Sequence, residues 1–286
     1  MNRIPYITSV PPRLKRVGKD GADVGEAYQV RCAASWRDEG FDACSVNSRQ
    51  EKIGCDIAIR RVDRDASDMT GRPHMFFADL LAAGIEMAGD GPFVIGNADV
   101  ILKPGIRDRV ARLQPGEILL SRRIDIHDMN SLEGEAYASG FDLFAISGSD
   151  AARLADTQLI FGAPWWDHYL PLRMYMKGGA LHLLEPAVWH LTHDERWNWP
   201  LWTRLGQTFV DEIEPDATST YKAGLAAAKR EPWLGWRNFL RQNLIKRPTQ
   251  EEKRIAFLHR LSHLNIKFVD EHAARDTHEY PCLDKP

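Results

Sequence analysis

Apolar residues recur along the chain in two rhythms that take turns. Compact apolar runs of strand length predict strands at residues 4–10, 42–46, 56–62, 92–96, 117–121, 141–146 and 181–184. Between them, three- and four-residue spacing predicts helices at 27–39, 75–88, 105–113 and 165–177. The second of these is the clearest, because Phe76, Phe77, Leu80, Leu81 and Ile85 fall on one face. Strand–helix alternation predicts an α/β fold with a mostly parallel sheet flanked by helices. Pro92–Gly96 is apolar throughout, as expected of a strand covered on both faces. Beyond residue 199 the pattern turns helical, at 219–230, 236–244 and 250–264, and residues 270–286 read as a polar, loosely ordered end. The expected organisation is a core over 1–199 and a helical C-terminal extension over 200–286 packed on it.

Composition narrows the class. With 286 residues, 44% hydrophobic and 27% charged, the chain can bury a large core and reads as a soluble enzyme. A net charge of −3 gives no reason to expect nucleic acid as a partner. Cys32, Cys44, Cys55 and Cys282 form no CxxC pair, which fits a reducing cytoplasm better than a zinc ribbon. No signal peptide or bilayer-spanning run is evident, so membrane contact would be peripheral, at the inner face. P-loop, GxGxxG, GxSxG and HExxH patterns are absent, which disfavours kinases, dinucleotide-binding dehydrogenases, α/β-hydrolases and zincins.

The candidate chemistry begins where the apolar strand at 92–96 runs into Asn97-Ala98-Asp99. Ligands of open α/β sheets sit at the carboxyl ends of strands, and an amide and a carboxylate two residues apart can grip a hard cation and a ribose or phosphate oxygen. Read alone, the tripeptide is equally a turn. A second cluster is Arg122-Arg123-Ile124-Asp125-Ile126-His127-Asp128, whose arginines could hold a phosphate or form ion pairs in a solvated loop. Lys229, Arg230, Arg237, Arg241, Lys246 and Arg247 form a modest basic stretch that reads as a solvated helix face.

The strand–Asn-Ala-Asp–Val-Ile-Leu sequence resembles the D-x-D region of GT-A-type glycosyltransferases, in the variant form of a group of predicted nucleotide-diphospho-sugar transferases. Further similar segments follow in order. They are Ile7 through Arg13, Ser35-Trp36 through Gly40-Phe41, Ser45-Val46-Asn47-Ser48, and Phe77-Ala78-Asp79-Leu80-Leu81. Then come Gly140-Phe141-Asp142-Leu143-Phe144, Gly162 through Asp167, and His190-Leu191-Thr192-His193-Asp194. The resemblance spans residues 4–198 and implies a GT-A-like (Rossmann-like) fold. It implies a glycosyltransferase that moves a sugar from a nucleoside diphosphate sugar, UDP-sugar favoured over GDP-sugar, to a glycan or other hydroxyl acceptor. Mn2+ or Mg2+ would be held by Asp99 and His193, with Asn97 standing where relatives carry an acid. Thr8, Arg13 and Asp79 would lie near the nucleoside, together with Asn97 and Asp99. Gly140, Asp142, Trp165 and Trp166 would lie on the acceptor side, the two indoles able to stack on a sugar or simply to fill the core. Asp167 would be the general base, its carboxyl raised by a water-poor setting, or else a helix cap. Two rival readings are a metal-dependent hydrolase using Asp99, Asp125, His127, His190 and His193, and a non-catalytic nucleotide-sugar-binding module.

Overall fold

All five residues of β1 (Ile4–Thr8) are buried, and successive side chains enter different cores. Ile7 joins one apolar cluster and Tyr6 the other, as expected of a strand with helices on both faces. The computed structural model describes residues 3–193, 197–227 and 251–276. After β1 come α1 (Gly25–Asp38), β2 (Phe41–Ser48), β3 (Ala58–Val62), α2 (Ser67–Thr70), α3 (Phe77–Ala88), β4 (Pro92–Gly96) and β5 (Val100–Leu102). Next are α4 (Ile106–Val110), β6 (Glu117–Ile126), β7 (Gly134–Ala136), β8 (Leu143–Ser147), α5 (Gly148–Ala152), α6 (Trp166–Met176) and β9 (Ala180–Leu191). Two long helices, α7 (Trp199–Ala227) and α8 (Glu251–His272), precede β10 (Ala274–Asp276).

The main sheet runs β10-β9-β6-β8-β4-β1-β2-β3, with β5 added on β9 and β7 on β6. Along that path only β8 opposes its neighbours, so the sheet is mostly parallel, as the strand–helix alternation predicts. Helix α1 covers one face, through Tyr28, Cys32 and Trp36. Helices α3 and α6 cover the other, and α7 and α8 pack in turn on α6 through Leu205, Phe209, Leu258 and Leu261.

Three expectations need correction. The strand expected at 117–121 continues to Ile126, so Arg122 through Ile126 of the cluster expected in a loop lie on β6, and His127 and Asp128 follow it. The short strand expected at 181–184 is the twelve-residue β9, which carries His190. Pro186 obscures this: the β6–β9 register slips between Ser121↔Leu184 and Arg123↔Val188, a bulge that tolerates a residue without an N–H. Third, of the end expected to be loose, residues 270–276 continue as helix to His272 and then pair, through β10, with β9, while 277–286 lie outside the described residues. The expected helix at 236–244, the basic residues from Lys229 to Arg247, and Cys282 lie outside the described residues.

Candidate functional site

Asp99 sits in the turn between β4 and β5, and α1 holds that turn in place. Tyr28 donates its hydroxyl to the Asp99 carbonyl at 2.9 Å and accepts the Leu191 N–H at 2.7 Å. Trp36 Nε1 donates to the Val100 carbonyl at 3.1 Å. Tyr6 stacks on Trp36 with ring centroids 4.7 Å apart and donates its hydroxyl to the Asn97 carbonyl at 3.2 Å. Only glycine fits at position 96, because a Cβ there would lie 2.2 Å from the Tyr6 oxygen. The conspicuous aromatics of the N-terminal third thus fix the backbone of Asn97-Ala98-Asp99.

The sheet supplies the partners. β9 lies between β5 and β6, with His190 opposite Val100 on one side and Asp125 on the other. This register sets His190 Nε2 3.5 Å from Asp99 Oδ2 and His190 Nδ1 2.8 Å from Asp125 Oδ1. His193, just beyond the strand, brings Nε2 to 3.8 Å from the same Asp99 oxygen. Asp99, His190 and His193 offer ligand atoms that all lie within 4.8 Å of one another. Arg16, its side chain 2% exposed, closes the group with an ion pair to Asp99. Burial works against the Asp99 carboxylate, but His190, Arg16 and His193 outweigh it and hold its carboxyl well below the ordinary range. For His190 burial favours the neutral ring, yet the Asp99 and Asp125 carboxylates prevail and raise its pKa.

A second network adjoins the first. Asn97 donates its side-chain amide to Asp142 Oδ1 at 2.7 Å. Arg123 bridges Asp142 at 3.0 Å and Asp125 at 2.7 Å, and lies 3.9 Å from the centre of the Tyr137 ring. Burial raises the Asp142 carboxyl against the pull of Arg123 and Asn97. Arg123 is held firmly protonated, burial notwithstanding, by its two carboxylates. The β6 cluster is therefore neither a solvated loop nor a free phosphate grip. Asp125 orients His190, and His127 meets Thr192 at 3.1 Å instead of joining the Asp99 group.

Of these groups, Arg16, Asn97, Asp99, Arg123, His190 and His193 line a cavity of about 870 Å³. It also receives Arg13, Gly140, Asp142, Asp167 and, from the C-terminal helices, Trp199, Trp202, His259 and Ser262. Asp167 lies in the first turn of α6 and accepts the Phe141 N–H at 3.2 Å. A Cβ at position 140 would stand 2.6 Å from Asp167 Oδ2, so a larger residue there would displace this carboxylate. Trp165 and Trp166 are 2% and 3% exposed, their rings packed against Trp202 and Phe209 and against Phe77, Phe144 and Phe161 respectively. They border the cavity as core, leaving almost no ring surface for a sugar. Trp165 also holds φ +83°, a left-handed conformation rare for a bulky residue.

Two expected nucleoside residues lie elsewhere. Thr8 is fully buried at the end of β1, and Asp79 pairs with Arg64 at 3.1 Å, away from the cavity lining. Arg13 lines the cavity and pairs with Asp23 at 3.0 Å. Arg16 carries no signal of its role in the sequence. Nothing local separates it from Arg13 and Lys15; it is buried because the loop folds back through the Val17–Asp23 bridge.

No protein-family model matches the chain, and no curated protein matches it. Solved structures with a related chain path include HddC from Yersinia pseudotuberculosis, at 8% identity over 65% of this chain and 91% of that one, TM-score 0.38. Another is the inositol-1-phosphate CTP transferase from T. maritima, at 10% identity over 72% of this chain and 96% of that one, TM-score 0.37. At such values the likeness identifies neither a family nor an activity for this chain.

Proposed function

We propose that this chain transfers a sugar from a nucleoside diphosphate sugar to an acceptor hydroxyl. The observation that carries the reading is the convergence of Asp99, His190 and His193 at the strand ends, in a cavity that also holds Asp167. A divalent cation on that trio would offset the charge that develops on the departing diphosphate. The donor set fits such an ion. His190 faces Asp99 through Nε2 while Asp125 holds Nδ1, the arrangement in which a carboxylate orients a ligating imidazole. Two imidazoles and one carboxylate suit manganese better than magnesium, which prefers oxygen ligands throughout. Arg13, on the β1 side of the cavity, would face the nucleotide. Arg16 fixes Asp99 and adds positive charge where a diphosphate would lie.

Asp167 is the proposed general base. It carries no ion pair among the described residues, whereas Asp99, Asp125 and Asp142 are each committed to a cation. A base on the acceptor side, opposite the leaving group, would give inversion at the anomeric carbon. The hydrolase reading has less support, because Asp125 is occupied by His190 and Arg123 and His127 by Thr192.

The test is thermal stability of the full chain with UDP, GDP, CDP and dTDP, each with and without manganese. A ligand that binds only the folded state raises the apparent Tm. We expect one nucleotide to stabilise the protein in a manganese-dependent way, and Asp99→Ala to abolish that dependence. Asp167→Asn should keep the shift and lower the transfer rate by about 10²-fold or more. No shift with any nucleotide at millimolar concentration would overturn the reading. Pyrophosphate release from a nucleoside triphosphate and a sugar 1-phosphate would replace it with nucleotidyl transfer.

A further inference from the structure

The cavity extends past Asp167 to a wall made by α7, α8 and the segment before α7, and that wall is aromatic. Trp197 and Trp199 are 36% and 55% exposed and both border the cavity. Among the other large apolar side chains of the described residues only Val17, Val30 and Met87 are comparably exposed, so two indoles left open beside a polar cavity are informative. Trp199 meets Trp202 almost at a right angle, 79° between ring planes with centroids 5.5 Å apart. His259 of α8 closes the corner, 5.0 Å from Trp199 and 4.8 Å from Trp202. The corner is braced from beneath, where Trp165 Nε1 donates to the Trp202 carbonyl at 3.0 Å and the two rings pack 5.0 Å apart. The Trp197 ring lies 5.5 Å from His74, carrying the aromatic surface onto the loop before α3.

We propose that Trp199, Trp202 and His259, with Trp197 beside them, form a subsite for a sugar ring. A pyranose presents a face of C–H groups, which packs on an indole, and a rim of hydroxyls, which needs donors and acceptors. Burial of the C–H face removes apolar surface from water, and the electron-rich indole face favours its polarised hydrogens. Ser262 and the His259 ring nitrogens can bond the hydroxyls, both being cavity-lining groups of α8. An apolar platform with a few polar groups is the usual make-up of a small-molecule site. The subsite rests on the transfer reading only for its role: there, the sugar held on this wall is the acceptor. It also reassigns the stacking role, which the buried Trp165 and Trp166 cannot fill.

Saturation-transfer NMR of the full chain with methyl glycosides of glucose, galactose and mannose tests this directly. At least one should bind, with the strongest transfer to the C–H protons of one ring face. Trp199→Ala should weaken that binding by about tenfold, and Trp199→Phe, which keeps a flat ring, by much less. Trp199 is mostly exposed, so neither change should alter the fold, and the manganese-dependent nucleotide shift should persist in both. Absence of binding by all three glycosides, or binding indifferent to Trp199→Ala, overturns the proposal. Trp199-dependent binding of tetramethylammonium in place of the glycosides overturns the sugar assignment in favour of a cation cage. A Trp199-dependent glycoside signal in a protein that ignores every nucleotide would uphold the subsite while removing the transfer reading.

Discussion

Asn97 shows how a single residue fits its surroundings. Its amide donates to Asp142, a carboxylate 2% exposed and shared with Arg123. An acid at position 97 would set two carboxylates about a hydrogen bond apart in a buried place, where both cannot ionise. Asn97→Asp should therefore destabilise the protein at pH 7 by about 1–3 kcal/mol, the cost of losing a buried donor. The new pair would bind a proton more tightly folded than unfolded, so its deficit should shrink as pH falls from 7 towards 5. Paired denaturant melts of the two proteins check both statements. A deficit that does not change with pH would mean the two groups do not interact. Asp99 and His193 were legible at this scale, from an acid behind a buried strand and a resemblance. Arg16 was not, since its burial comes from the folding back of a loop.

Among elements, the contact of α3 with β4 illustrates where propensity loses to packing. Gly84 lies inside α3, where alanine would gain about 1 kcal/mol of helix propensity. A Cβ at that position would stand 2.1 Å from the Phe93 ring, itself fully buried. Forcing atoms into a packed core costs about 1–3 kcal/mol, and this approach is close enough to sit at the upper end. Gly84→Ala should then be net destabilising by about 1–2 kcal/mol, read as a lower Tm with unchanged far-ultraviolet dichroism. Helix α3 and β4 were plain in the sequence because each has one unbroken period. β6 and β9 were cut short because their outer halves carry charged residues, His190 and a proline. Those residues are accommodated by cross-strand ion pairs and a bulge that only pairing reveals.

Across the whole molecule, the loop before α3 and the segment before α7 meet at His74, which bonds Thr70 at 3.0 Å and packs near Trp197. Burial, reinforced by Arg72, lowers the His74 pKa to about 4. The folded state thus holds this ring neutral where the unfolded chain would protonate it, at an ordinary value of about 6.5. Its contribution is intact above that value and is lost as pH falls through 6.5 towards 4. Wild type should lose more Tm than His74→Gln between pH 7 and pH 4.5. Equal losses would mean His74 titrates alike in both states.

The sequence by itself determined the α/β class, the covered strands and the position of Asp99 behind one of them. Those features follow from periodicity and from apolar runs, which are local. Tertiary structure decided the rest. The sheet register put His190 between Asp99 and Asp125, although 91 and 65 positions separate them along the chain. The packing of α7 and α8 on α6 turned Trp165 into core and left Trp199 open to the cavity. Both outcomes depend on contacts between distant segments, and the local pattern of residues does not encode which segments meet.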